Sequence, residues 1–273
     1  MSNKHFSIQE ALYEAPGPKA KRRIAVATVL SLAALAVLII AVIRQFYITG
    51  QLDARYWSIF LSVTTWRFLG KGLIGTLKVA LGASIVSFAI AMAMMLGRIS
   101  SIKPVSWLST ALIELSRGIP TLLFIYFFFL VSPQLGITLP VYWKITLPVA
   151  ISASGVVAEV LRSGVNAVPK GQREAALSIG MREHKVFFKI IFPQAFRFVI
   201  PALISELVIV LKDTTFAYVV SYADMMLNAR VLISNYDTLL SVYLVVAVIY
   251  ILINYLLNKV SVYLAGHRKT AAA

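Results

Sequence analysis

Six apolar blocks recur along the chain, at about 24–43, 72–97, 104–131, 142–165, 198–211 and 239–264, with charged turns between them. A bilayer core of ~30 Å takes roughly 20 helical residues, so each block predicts a membrane-spanning helix. The fifth is short, and a further apolar turn introduces it. Between the first two blocks, residues 53–69 carry Tyr56, Trp57, Phe60 and Trp66, which predicts an interfacial helix at headgroup level. The pattern therefore predicts an all-α polytopic membrane protein of about six transmembrane helices. Its expected segments are a tail (1–23), a first span with its interfacial stretch (24–66), a core (67–264) and a second tail (265–273).

One polar stretch, 166–194, is too long for a simple turn. Pro169 and Gly171 set a bend, 172–179 has the propensities of a short helix, and Gly180 suits a left-handed C-cap. Glu174 is expected in the first turn, where a carboxylate favours the helix dipole. Small Ala175 and Ala176 would let another protein approach closely. A second helix, 183–192, is expected to end at Pro193. The stretch reads as a docking site for a soluble partner, or as a solvated loop folded on itself.

Composition fixes the solvent. Hydrophobic residues make up 59% of the 273 and charged residues 14%, with a mean hydropathy of +0.83, beyond the usual range of a water-soluble domain. The net charge of +15 forms no basic stripe with interleaved aromatics, so no nucleic acid is expected. Lys and Arg instead divide 17 to 8 between the two faces, with Arg117 inside a span, which predicts both termini in the cytoplasm. The basic N-terminal tail is too long and mixed for a signal peptide, so the first apolar block is expected to be retained.

Ionisable residues at lipid depth are costly and call for an account. Glu114 with Arg117, and Glu159 with Arg162, repeat one three-residue spacing that puts each pair on one helix face. They read as structural ion pairs, or Arg117 lines a pathway beside the helix-breaking Gly118-Ile119-Pro120. Such a break exposes backbone amides and carbonyls to a solute, with Ser116 and Thr121 flanking it. Lys212-Asp213 reads as an ion pair capping a helix end, or, with Thr214 and Thr215, as the start of a gate segment. There is no cysteine and no phosphate-binding G-x-x-x-x-G-K-[ST] loop, and His5, His184 and His267 all fall in expected cytoplasmic segments. Catalytic, cofactor and metal residues are therefore not expected in this chain.

The spacing Glu174-Ala175-Ala176, Gly180, Ile190 and Phe192-Pro193 resembles the signature loop of bacterial ABC importer permeases, where Leu usually stands in place of Phe192. The resemblance extends over about 68–260 and points to the polar amino acid uptake family (histidine, glutamine and glutamate). Gly75-Thr76-Leu77, Arg117-Gly118-Ile119-Pro120-Thr121-Leu122-Leu123, Ala158-Glu159-Val160-Leu161-Arg162-Ser163-Gly164-Val165, Gly171-Gln172, Ile200-Pro201-Ala202-Leu203 and Leu211-Lys212-Asp213-Thr214-Thr215 follow the family's order. The chain departs from it at Ser205, where the family has Asn, and at Thr215 and Phe216, where it has Ser and Leu.

The resemblance implies a type I importer permease with a five-span core and one additional N-terminal span. It implies a second homologous permease, two cytoplasmic ATP-binding subunits that carry ATP and Mg, and an extracytoplasmic amino-acid-binding protein. The coupling helix would comprise Gly171, Gln172, Glu174, Ala175, Ala176 and Gly180. Ser116, Arg117, Thr121, Glu159, Glu206, Thr214 and Thr215 are candidates for the substrate pathway. Overall likeness is to actinobacterial glutamate permease subunits, which makes glutamate the expected substrate. An ion-gradient-driven secondary transporter or channel is the alternative, and it would leave the 174–193 pattern without a role.

Overall fold

The structure, a computed structural model, describes residues 17–266; His5, His267 and the outer parts of both expected tails lie outside the described residues. The chain divides into two units, one up to Tyr56 and one from Trp57 onward. The first unit is built on α1 (Pro18–Ile48), which Gly17 caps and Pro18 starts. Proline suits that place, since its missing N–H would have no helical partner. No residue of α1 is buried, as expected of a helix whose apolar side chains are solvated by lipid.

The second unit is a helical bundle. It comprises α2 (Val63–Arg98), α3 (Lys103–Gly118), α4 (Thr121–Tyr126), α5 (Val141–Ala167), α6 (Lys170–Ser178), α7 (Glu183–Val186), α8 (Phe192–Asp213), α9 (Met225–Tyr236) and α10 (Leu239–Gly266). Among the described residues five stretches, counting α1, are long and apolar enough to cross a membrane, and α3 with the bent stretch Thr121–Leu135 makes a sixth if the two count as one span. The expected interfacial helix is absent: 54–56 and 58–61 are single 3-10 turns, and Ser62 caps α2, which takes in the rest. The break expected in the third span at Gly118-Ile119-Pro120 is present, as a bend of 99°.

α5 is the centre of the bundle and packs against α2, α3, α4 and α8. One core cluster joins Val79 and Ala83 of α2, Val149 of α5 and Leu211 of α8. A second joins Met95 of α2, Ile113 of α3, Leu161 of α5 and Val199 of α8. α3 can lie this close because position 155 of α5 is glycine. A Cβ there would meet the Ile113 carbonyl oxygen at 2.8 Å and collide with the Ser116 hydroxyl.

Two further findings depart from expectation. The helix from Glu183 does not stop at Pro193; it passes through a π turn (Phe187–Ile191) straight into α8. A wide turn just ahead of proline accommodates its missing N–H and ring without ending the helix. α9 was not expected at all. It starts where the buried Asp224 carboxylate accepts hydrogen bonds from the Leu227 and Met226 N–H groups, at 2.8 and 3.2 Å.

Candidate functional site

The loop 166–194 folds into a short helix seated on an apolar pad. Pro169 precedes α6, and the helix closes through Gly180, whose φ of 80° lies in the left-handed region. The Gly180 N–H donates to the Leu177 carbonyl at 2.9 Å and the Met181 N–H to the Ala176 carbonyl at 3.2 Å, the pair of bonds that defines a Schellman end. Beneath α6, Ala176 packs with Val168, Val186, Ile191 and Ala195. Arg173 ties α6 to α7 through Glu183 at 2.8 Å, and Gln194 Nε2 reaches Gln172 Oε1 at 3.5 Å.

This arrangement corrects two expectations. α6 starts at Lys170, which puts Glu174 past the first turn, so its carboxylate does not serve the helix N-terminus. Ala176 faces inward, leaving Ala175, with Leu177 and the 78% exposed Ile179, on the outer surface. Gly171, Gln172 and Glu174 are exposed as well. The short helix thus combines an apolar outer tip with a packed seat.

Between α6 and the break in α3–α4 lies a charge network that joins three helices. Glu114 lies 3.3 Å from Arg117, and Glu159 2.8 Å from Arg162. Arg98, the last residue of α2, joins the two pairs: it forms a short ion pair with Glu159 and lies 3.8 Å from Glu114. Sequence reading missed Arg98, which counts as one more cation in a turn. The network holds three cations against two carboxylates, and Arg117 and Glu114 are its exposed members.

At the break itself a second polar chain forms. Thr121 Oγ1 donates to Asp213 Oδ2 at 2.8 Å and lies 2.8 Å from Ser152 Oγ. Since the single Thr121 proton goes to Asp213, Ser152 must be the donor in their bond. α4, α5 and the end of α8 are thereby joined at one point. Of the two readings of 212–215, the Lys212–Asp213 pair is not formed: the Asp213 carboxylate goes to Thr121 and Lys212 is exposed, because adjacent residues on a helix point in different directions.

The remaining pathway candidates form no hydrogen bond to this point among the described residues. Ser116 is buried with its hydroxyl on the Ile113 carbonyl, Thr214 is buried on the Leu211 carbonyl, and Thr215 bonds to the Lys212 carbonyl. Glu206 is buried in the wall of a separate cavity of about 450 Å³ that is apolar apart from Ser84 and Ser87. Ser205 bonds back to the Pro201 carbonyl at 3.1 Å, as a hydroxyl in place of a longer amide can. Outside the membrane-spanning stretches, burial pushes the Asp224 carboxyl up to about 6. Among the described residues no three His, Cys, Asp or Glu side chains gather.

The profile of the binding-protein-dependent transport system inner membrane component matches residues 85–268. The chain belongs to this permease family. The permease is 35% identical over 216 residues to the glutamate transport system permease protein GluD of Corynebacterium glutamicum, covering 78% of this chain and 79% of that one. It is 32% identical over 194 residues to the probable glutamine ABC transporter permease protein GlnP of Bacillus subtilis, covering 70% and 89%. A solved amino acid ABC transporter crystallised with histidines superposes with a TM-score of 0.69 at 30% identity, over 74% of this permease and 94% of that chain. The permease is thus a multi-pass inner membrane component of an amino acid ABC importer.

Proposed function

We propose that this permease moves a polar amino acid, glutamate first among them, into the cytoplasm by ATP-driven alternating access. The observation that carries the reading is the seat of α6. Its Schellman end, its apolar pad and the Arg173–Glu183 pair make α6 a rigid handle between α5 and α7–α8. A handle so held transmits a displacement to both spans as a rigid-body movement. The exposed Leu177 and Ile179 would sit in a groove of one of two ATP-binding subunits. A second homologous permease completes the pore, and an extracytoplasmic binding protein delivers the solute to the side opposite α6. Both termini then lie in the cytoplasm, in keeping with the Lys and Arg distribution.

One observation supports glutamate: GluD carries glutamate transport in its name. Relatives named for glutamine, cystine and arginine transport define the competing solutes. The test is uptake of labelled glutamate, glutamine, cystine and arginine into proteoliposomes holding the reconstituted complex with its binding protein, with and without enclosed ATP. ATP-dependent uptake led by glutamate is the expected result. A lead for another amino acid would overturn the choice of glutamate, and uptake driven by an ion gradient without ATP would overturn the importer reading.

A further inference from the structure

Beside α6 the structure opens a cleft of about 650 Å³, bounded by the end of α2, the turn 99–101, the end of α5 and the helix from Glu183. Its lining mixes two chemistries: Ser100, Ser101, Asn166, Lys170 and His184 are polar, and Leu96, Phe187 and Phe188 are apolar. Phe188 is 53% exposed and the neighbouring Ile99 42%, so large apolar side chains stand open at the cleft. Within the cleft Arg173 and Glu183 cancel each other, while Lys170 has no acidic partner among the described residues.

The place of the cleft narrows what can fill it. α2 and α5 end at it, and the next long span starts from it; α5, with 27 residues and so about 40 Å long, matches a bilayer with its headgroups, which would put the cleft at headgroup depth. A ligand that satisfies both kinds of lining there carries an anionic oxygen group on an apolar body. A soluble anion would use Lys170 and leave the phenylalanines in water. A neutral lipid would cover the phenylalanines and leave Lys170 without a counterion.

We infer that this cleft binds one anionic phospholipid, its phosphate held by Lys170, the Ser100 and Ser101 hydroxyls and His184, and its first acyl carbons laid on Phe187 and Phe188. Basic pockets between spans on one side of a membrane take anionic headgroups for this reason. The bound lipid would brace α6 against the ends of α2 and α5, next to the surface from which the proposed stroke enters.

The experiment is native mass spectrometry of the purified complex in neutral detergent. It is titrated with short-chain phosphatidylglycerol, with phosphatidylcholine of the same chain length, and with inorganic phosphate. The inference expects one tight phosphatidylglycerol adduct per copy of this chain. Its affinity should fall about five-fold in Lys170→Gln and about 25-fold in Lys170→Glu, recover in Lys170→Arg, and stay unchanged in Lys212→Glu. Phe188→Asp should weaken it independently of the lysine. Equal binding of phosphatidylcholine, or an adduct indifferent to Lys170→Glu, would overturn the site. Phosphate binding as tight as phosphatidylglycerol would replace the lipid by a soluble anion.

Discussion

Arg98 at the end of α2 forms an ion pair with Glu159 of α5 and lies 3.8 Å from Glu114 of α3, so one guanidinium ties two carboxylates and three helices. Each of those carboxylates already has an arginine on its own helix, Arg117 or Arg162. The Arg98–Glu159 pair is the least exposed contact, at 22% for both side chains. Breaking one partner leaves a partly desolvated charge behind. Arg98→Gln or Glu159→Gln should each lower stability by about 1–3 kcal/mol, and the double variant by less than the two together. Thermal unfolding of the four proteins in detergent checks this, and simple additivity would mean that the two groups do not interact.

Gly180 should tolerate little. Its φ of 80° strains any residue with a Cβ, by about 1–2 kcal/mol, and Asn least. Gly180→Asp should abolish uptake while membrane levels hold, and Gly180→Asn should retain part of it. Normal uptake by Gly180→Asp, measured in cells with immunoblotted membranes, would show that the α6 end is not needed for coupling.

Thr121→Val removes the donor to Asp213 and the acceptor for Ser152 in one step. Leaving a carboxylate unpartnered at the break should cut uptake about ten-fold, whereas Thr121→Ser keeps the hydroxyl and should transport normally. Equal loss in both variants would assign the effect to the methyl group and its packing.

Asp224 supplies a pH dependence of known sign. Its folded-state carboxyl sits at about 6 through burial, against an ordinary 3.8. The folded protein therefore holds this proton more tightly than the unfolded chain, and stability falls as pH rises from about 3.8 to about 6. Asp224→Asn still caps α9 and should flatten that part of the stability curve. Denaturant midpoints measured between pH 4 and 7 for both proteins give the comparison, and parallel curves would contradict it.

The spans were legible because lipid demands long apolar runs, and the break was legible because Gly118 and Pro120 disfavour helix at one point. Gly180 announced a helix end by itself. What escaped the sequence depends on direction and distance. Nothing local tells that Ala176 faces the pad while Ala175 faces out, or that Asp213 chooses a threonine 92 residues away over its neighbour Lys212. Arg98 looked like a turn residue because its two carboxylates lie on other helices. α9 was missed because 221–238 mixes polar and apolar residues without a span-length run, and Pro193 misled because a π turn absorbs it.

A chain without native cysteine makes contact between α6 and an ATP-binding subunit directly measurable. An Ala175→Cys variant, treated in native membranes with a reagent that takes a thiol at one end and an amine at the other, should crosslink the permease to surface lysines of a co-purifying ATP-binding protein, and ATP should change the yield of that crosslink. A permease that yields no such adduct, purifies without an ATPase and still moves amino acid down an ion gradient would contradict the account.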